Sequence, residues 1–297
     1  MKKRLFACIA LVIAGGLFIT ACSENSDKQV INVPISSLDD LYTLFDKYQY
    51  TDQQWTEGNH EIPRMTFAGV GEKWAESSKN LPVQTKKMVF FRLMAPLALM
   101  ANEQILAERK IVKTSPLNSE KLRDLALKYK VIDDQTKQID ENARKTLLKR
   151  VDILPPSLVL AQAAEESGWA TSRFTLEGNA FFGQWDFTGK GMKPLAQRSE
   201  LGNYGVARFD SPLASVEAYM LNVNSNNAYQ SLRTLRSKLR AEKKSITGYL
   251  LAGTLHNYSE RGQAYIDGIR AMISHNKLQQ IDKAHLAKEP LIHLINE

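Results

Sequence analysis

The stretch that most constrains the fold of this 297-residue chain runs from Pro155 to Gly168, PPSLVLAQAAEESG. Proline is tolerated in a first helical turn and glycine is favoured just past a last one, so the spacing predicts a short helix from about Pro156 to Gly168. Its alanine-rich, apolar interior requires burial among other elements. Residues three and four apart stack on one helix face, which puts Val159, Ala163 and Glu166 on a common stripe and turns Glu165 to another side. A carboxylate that continues an apolar stripe into the last turn is disfavoured in its charged form by partial burial and by the negative end of the helix dipole. Both effects raise its pKa, and a carboxylic acid protonated near neutral pH is a competent proton donor. Taken alone, Glu165 and Glu166 read better as two solvated glutamates at a helix end.

The surroundings of the pair decide between these readings. AQAAEESGWATS followed by GNAFFGQW resembles the AQAALESGWG…NLFGI signature of the endo-β-N-acetylglucosaminidases of glycoside hydrolase family 73. RFDSPLASVEAYMLNVNSNNAY is similar to that family's F-x-S-x-x-x-S-x-x-x-Y segment, and NYSERGQAYIDGI to its YATDPxYxxKI segment. With MANEQILAER further upstream, the chain looks like the Bax subgroup of the family. Ordered matches along half a chain are far more specific than one short pattern. The resemblance implies a mainly α-helical, lysozyme-like catalytic domain with a small β-hairpin arm, acting on the glycan strands of peptidoglycan. It also implies roles: Glu166 as the catalytic acid before Ser-Gly-Trp, Glu200 as the second carboxylate on the arm, and Tyr258 lining the cleft. Glu165 stands where the family has a small residue or leucine. Glycoside hydrolysis usually needs two carboxylates, and Glu177, Asp186 and Asp210 are the other candidates after Glu166. Asp210 reads better as a turn or cap residue and Glu177 as loop surface.

Lys2, Lys3 and Arg4 precede an apolar run from Leu5 to Ala21, the layout of a secretory signal rather than a secure membrane span. Ile19-Thr20-Ala21-Cys22 resembles a lipobox, so cleavage before Cys22 and its acylation are expected. Ser23 after it points to the periplasmic face of an outer membrane. Cys8 would leave with the signal, so Cys22 is the single mature cysteine and no internal disulfide or cysteine-based zinc site is expected. The formal charge of +7 falls to +4 with the signal, too diffuse for nucleic-acid binding. Gly189-Lys190-Gly191 lacks phosphate-loop spacing, the five histidines have no metal-ligand spacing, and no cofactor is expected.

The expected organisation is a signal over 1–21, a lipid tether and linker over 22–60, a helical region over 61–140, the catalytic domain over 141–276 and a fraying tail over 277–297. Ile31, Val33 and Ile35 alternate with polar or proline positions, as in a short edge strand, and Ser37 caps a helix through Tyr48. The run from Gln84 to Lys113 is apolar on nearly every side, with Pro96 expected to kink or split it. Gly202-Asn203 is a hairpin cue within Leu195 to Phe209. In the aromatic loop from Trp169 to Phe187, Trp185 is the candidate for stacking on sugar rings. Two other functions fit the same residues: a lytic transglycosylase, which also places Glu before Ser on a helix, and an inactive wall-binding lipoprotein that keeps the cleft.

Overall fold

The computed structural model describes residues 30–195, 202, 204–288 and 290–296. Cys22 and Glu200 therefore lie outside the described residues. The chain is mainly helical. The helices are α1 (Leu38–Lys47), α2 (Asp52–Thr56), α3 (Glu72–Ser77), α4 (Val83–Thr114), α5 (Glu120–Lys128), α6 (Glu141–Arg150), α7 (Pro156–Ser167), α8 (Arg173–Gly178), α9 (Pro212–Ser225), α10 (Gln230–Ala241), α11 (Gly248–Ala252) and α12 (Gln263–His275). The strands are β1 (Val30–Ile35), β2 (Glu61–Ile62), β3 (Met65–Phe67), β4 (Trp185–Asp186), β5 (Gly205–Val206), β6 (His285–Leu286) and β7 (Leu291–Asn296).

α4 is the axis of the molecule. It runs unbroken for 32 residues, about 48 Å at 1.5 Å per residue. Pro96 sits inside it, fully wrapped by other elements, so the expected split does not occur. Packing on both sides offsets the one backbone hydrogen bond that proline removes. The helix is long and apolar enough to cross a bilayer, but most of its apolar window is buried against the rest of the protein. α5, α6, α7, α9 and β3 pack around it.

The segment feeding α7 is pinned from three sides. Arg236 of α10, fully buried, donates to the carbonyls of Lys149, Arg150, Asp152 and Ile153 and to Asn224. Arg240 clamps the Asp152 carboxylate through two bonds of 2.6 Å, and the Asn102 amide pairs with the backbone of Leu154 in both directions. A buried polar group keeps its place only when it is hydrogen-bonded, and here the bonds fix where α7 begins.

Pro155 offers no side-chain cap to α7. Asp282 supplies one from far along the chain, accepting from the Ser157 amide at 2.9 Å and its hydroxyl at 2.8 Å. The same carboxylate accepts from the Gly248 amide at the start of α11. Burial raises its pKa against these bonds, which lower it. Gly248 is required by this approach, because a Cβ there would lie 2.2 Å from Ser157 Oγ and 2.5 Å from the Leu158 amide nitrogen. Gly248→Ala is expected to cost about 1–3 kcal/mol of overpacking strain, measured as a lower urea midpoint at unchanged slope.

The C-terminal stretch corrects the expectation of a fraying tail. A 3₁₀ helix over Leu278–Lys283 leads to β6, which pairs with β2, and then to β7. β7 is the central strand of a three-stranded parallel sheet in the order β1-β7-β3, with Val30 opposite Leu291 and Met65 opposite Ile292. β1 is the edge strand that its alternation predicts, and Ser37 closes a full capping box on α1. β5 pairs with β4, antiparallel with Trp185 opposite Val206, and Met192 bridges to the same Val206; the hairpin cue at Gly202-Asn203 falls on a stretch of which 196–201 and 203 lie outside the described residues.

Candidate active site

From Pro156 to Ala164 every residue of α7 is buried, and Glu165 and Glu166 are the first to be half-exposed. The helix ends through Ser167, whose hydroxyl donates back to the Ala163 carbonyl at 2.6 Å and accepts from the Ala170 amide at 2.9 Å. Gly168 takes a left-handed conformation at φ 58°, and Trp169 and Ala170 follow at 61° and 63°. Non-glycine residues there cost of order 1–3 kcal/mol each and persist only when surrounding contacts fix them. Those contacts come from the N-terminal helices. Trp169 is boxed by Phe90 and Phe91 of α4 at 5.5 and 5.3 Å between ring centres, with the Lys87 ammonium 5.5 Å from its ring. Trp74 of α3 donates its indole N–H to the Trp169 carbonyl. The Ser-Gly-Trp sequence thus builds a strained reversal that stops α7 at Ser167, one residue past Glu166.

The Glu166 carboxyl sits in a polar chain that the sequence reading missed. Tyr265 of α12 donates its hydroxyl to Glu166 Oε1 at 2.8 Å. The Tyr265 oxygen accepts from the Gln162 amide at 3.0 Å, and the Gln162 carbonyl accepts from the Tyr219 hydroxyl. Gln162, Tyr219 and Tyr265 are all buried. A signal for this was present: Gln162 is the one amide in an otherwise apolar run and lies one turn before Glu166, and a buried amide must find partners.

Burial raises the pKa of Glu166 above the ordinary carboxyl range. The Tyr265 hydrogen bond opposes the rise, the charge of Glu165 adds to it, and the Arg261 guanidinium counters it. Glu165 itself does not point freely into solvent; it pairs with Arg261 at 2.7 Å. Oε1 is committed to the Tyr265 donor, while Oε2 accepts no hydrogen bond among the described residues. A proton on Glu166 therefore belongs on Oε2.

Tyr258 lies within the same cluster. Its ring stacks on Tyr265 at 5.2 Å and 15°, with Tyr229 and Tyr219 at 5.9 and 6.5 Å. Burial, followed by the charges of Tyr265 and Glu166, holds its phenol protonated far above the ordinary tyrosine range. Trp185 stands apart on β4, 51% exposed, stacked on Tyr204 at 5.0 Å and 5.9 Å from Phe187. It follows by three residues Phe182, whose ring lies flat on Tyr219 at 3.9 Å. Among the other acids, Glu177 pairs with Arg173 on the surface, Asp186 caps the turn at Thr188, and Asp210 is exposed before the Ser211 cap of α9. Glu103 and Glu108 are structural, paired with Arg64 and with Lys128 and Tyr129. A cavity of about 670 Å³ between β1, α3 and α4 is lined by Ala170 but not by Glu166, and its lining is mostly apolar.

Tyr265→Phe keeps the ring and removes the donor to Glu166. A hydrogen bond to a charged group contributes about 1.5–3 kcal/mol, so kcat/KM is expected to fall by roughly ten-fold or more. The bond favours the ionised acid, so its loss moves the alkaline limb of the pH profile upward. A profile left in place would remove Tyr265 from any part in setting that acid.

Residues 141–278 match the family described as mannosyl-glycoprotein endo-beta-N-acetylglucosaminidase. The chain is also similar to Protein bax of Escherichia coli (strain K12), with 34% identity over 209 residues that cover 68% of this chain and 73% of that protein. No solved structure matches it. Fold and sequence together place this chain in the glucosaminidase family, as a Bax-like member with a lysozyme-like helical domain.

Proposed function

We propose that the protein is a peptidoglycan hydrolase, an endo-β-N-acetylglucosaminidase that cleaves the β-1,4 bond between N-acetylglucosamine and N-acetylmuramic acid. The observation that carries this reading is Glu166, half-buried where α7 stops, its charge disfavoured by burial and one oxygen fixed by Tyr265. The proton on Oε2 passes to the glycosidic oxygen as the bond to the anomeric carbon breaks and the ring develops oxocarbenium character. Water then adds to that carbon. Glu200 is proposed as the base that takes the water's proton, with the substrate's own acetamido oxygen as the alternative nucleophile. Tyr258 is proposed to position the acetamido group or the water, and Trp185 to stack on a sugar face from the β4–β5 arm.

The proposal extends to the whole chain: a lipoprotein anchored through Cys22 to the periplasmic face of the outer membrane, with a catalytic domain from about Glu141 to Asn276. Basic residues in the signal region, the lipobox-like ITAC and the absence of other mature cysteines support it.

Mass spectrometry of glycan products tests the reaction. Reducing-end N-acetylglucosamine is expected. Anhydro-muropeptides would instead identify a lytic transglycosylase.

A further inference from the structure

A second hollow, about 540 Å³, lies on the side of α4 that carries Phe91, Lys87 and Arg92, and is closed by α2 and by the chain leaving α12. Its floor is apolar, from Met88, Phe91, Leu278 and Ile281, and its rim carries the amides of Gln84, Asn276 and Gln280. Trp55 stands at one end, its indole N–H donated to Gln280 at 2.6 Å and its ring against His60 at 4.6 Å. Beyond Trp55 a further hollow of about 460 Å³ shares Lys277 and Gln280 and adds Lys283.

The charges on this rim are unbalanced. Asp52 is the one acid in the lining, and it is spent on Arg92 at 2.8 Å. Arg92 is 12% exposed, held over the rings of Phe45 and Tyr50. Lys87 and Lys277 have no carboxylate within ion-pair distance among the described residues. An apolar floor, amides that exchange hydrogen bonds with a peptide backbone and two uncompensated ammonium groups are the recognition chemistry of a short carboxylate-bearing peptide.

The hollow is connected to the end of α7 through Trp169. Phe91 forms its floor and packs on Trp169, and Lys87 lines it while facing the same indole. Trp169 is three residues past Glu166, so their Cα atoms are at most about 11 Å apart. A stem peptide of four or five residues, at about 3.3–3.6 Å per residue, is long enough to span that separation from a glycan held at Glu166.

We propose that this groove binds the carboxylate-bearing stem peptide of the wall polymer. This rests on the proposed glycosidase reading. It goes beyond it by assigning the N-terminal helices and the segment after α12 to substrate selection.

The test uses the full chain carrying Glu166→Gln, labelled with ¹⁵N at the tryptophan indoles, and titrated with a synthetic Ala-D-Glu-Lys tripeptide or its fully amidated counterpart. The acidic peptide is expected to shift the Trp55 indole resonance and to bind at least ten-fold more tightly than the amidated one. Lys87→Glu with Lys277→Glu is expected to abolish that difference. Because Lys87 packs on Trp169, Lys277→Glu alone is the second variant, expected to lower the affinity several-fold with the other indole resonances in place. Equal affinity for the two peptides, or no movement of Trp55, would overturn the proposal. The titration needs no turnover, so its result is separable from the failure of the hydrolase reading, which would show as activity surviving in Glu166→Gln.

Discussion

Glu166→Gln is expected to lower the rate of glycan cleavage by about 10²–10⁴-fold, the usual contribution of a positioned general acid. The fold should survive, because glutamine keeps the side-chain volume and its carbonyl oxygen still accepts from Tyr265. Zymography on purified peptidoglycan reads the effect directly. Equal clearing by wild type and variant would take Glu166 out of the mechanism, and no clearing by either would point to a binding protein that has lost its activity.

The same substitution should change stability in a pH-dependent way that activity loss alone does not require. Burial raises the Glu166 pKa in the folded state above its value in the unfolded chain. Between those two values the folded protein binds more protons than the unfolded one, so stability falls as pH rises through the window. Above the folded value the full cost of the buried carboxylate is present, and below the unfolded value it is absent. Glutamine does not ionise. The variant should therefore gain stability over wild type at neutral and alkaline pH and lose that advantage in acid, as thermal midpoints across pH will show. The wild-type activity should fall along an alkaline limb as Glu166 loses its proton. A variant and wild type with parallel stability profiles would mean that Glu166 titrates as an ordinary solvated carboxyl.

The parts of this site that were legible in sequence are the local ones. Pro156, Gly168 and the apolar run between them specify α7 because capping and burial act over a few residues. The stripe Val159-Ala163-Glu166 accounts for the half-buried place of Glu166, whose proposed role came from the resemblance, and the alternation of Ile31, Val33 and Ile35 gave β1. The chain from Tyr219 through Gln162 to Tyr265 joins residues up to 103 apart in sequence, and no local period encodes it. Of the kink or split expected at Pro96, the split does not occur, because the rule for helix interiors omits tertiary packing, which here buries Met94 to Leu99 of α4. The C-terminal stretch was missed for a related reason. Pro290-Leu291-Ile292-His293-Leu294-Ile295 is apolar on both sides and shows no alternation in sequence, although only Ile292 and Leu294 are buried in the fold and Ile295 is exposed.

That missed strand gives the second large effect. Deleting residues 290–297 should destabilise the whole protein, not merely shorten it. β7 is the shared partner of β1 and β3, which do not pair with each other. Its Ile292 and Leu294 are buried, and burying a large aliphatic side chain contributes about 1.5–3 kcal/mol, so the two together stand for roughly 3–6 kcal/mol before the lost ladder hydrogen bonds are included. For a protein of this size each kcal/mol moves the thermal midpoint by about 2–4 °C, so a fall on the order of 10 °C or more is expected by calorimetry. The loss should reach the active site through β3: Gly69, two residues past its end, packs on Asn179, whose amide donates to the Ala68 and Phe209 carbonyls, tying the sheet to the loop between α8 and the β4–β5 arm. Lower activity at temperatures where wild type is fully folded is the corresponding functional readout. A frayed tail would leave both midpoint and turnover where they were, and that outcome would remove β7 from the protein's core.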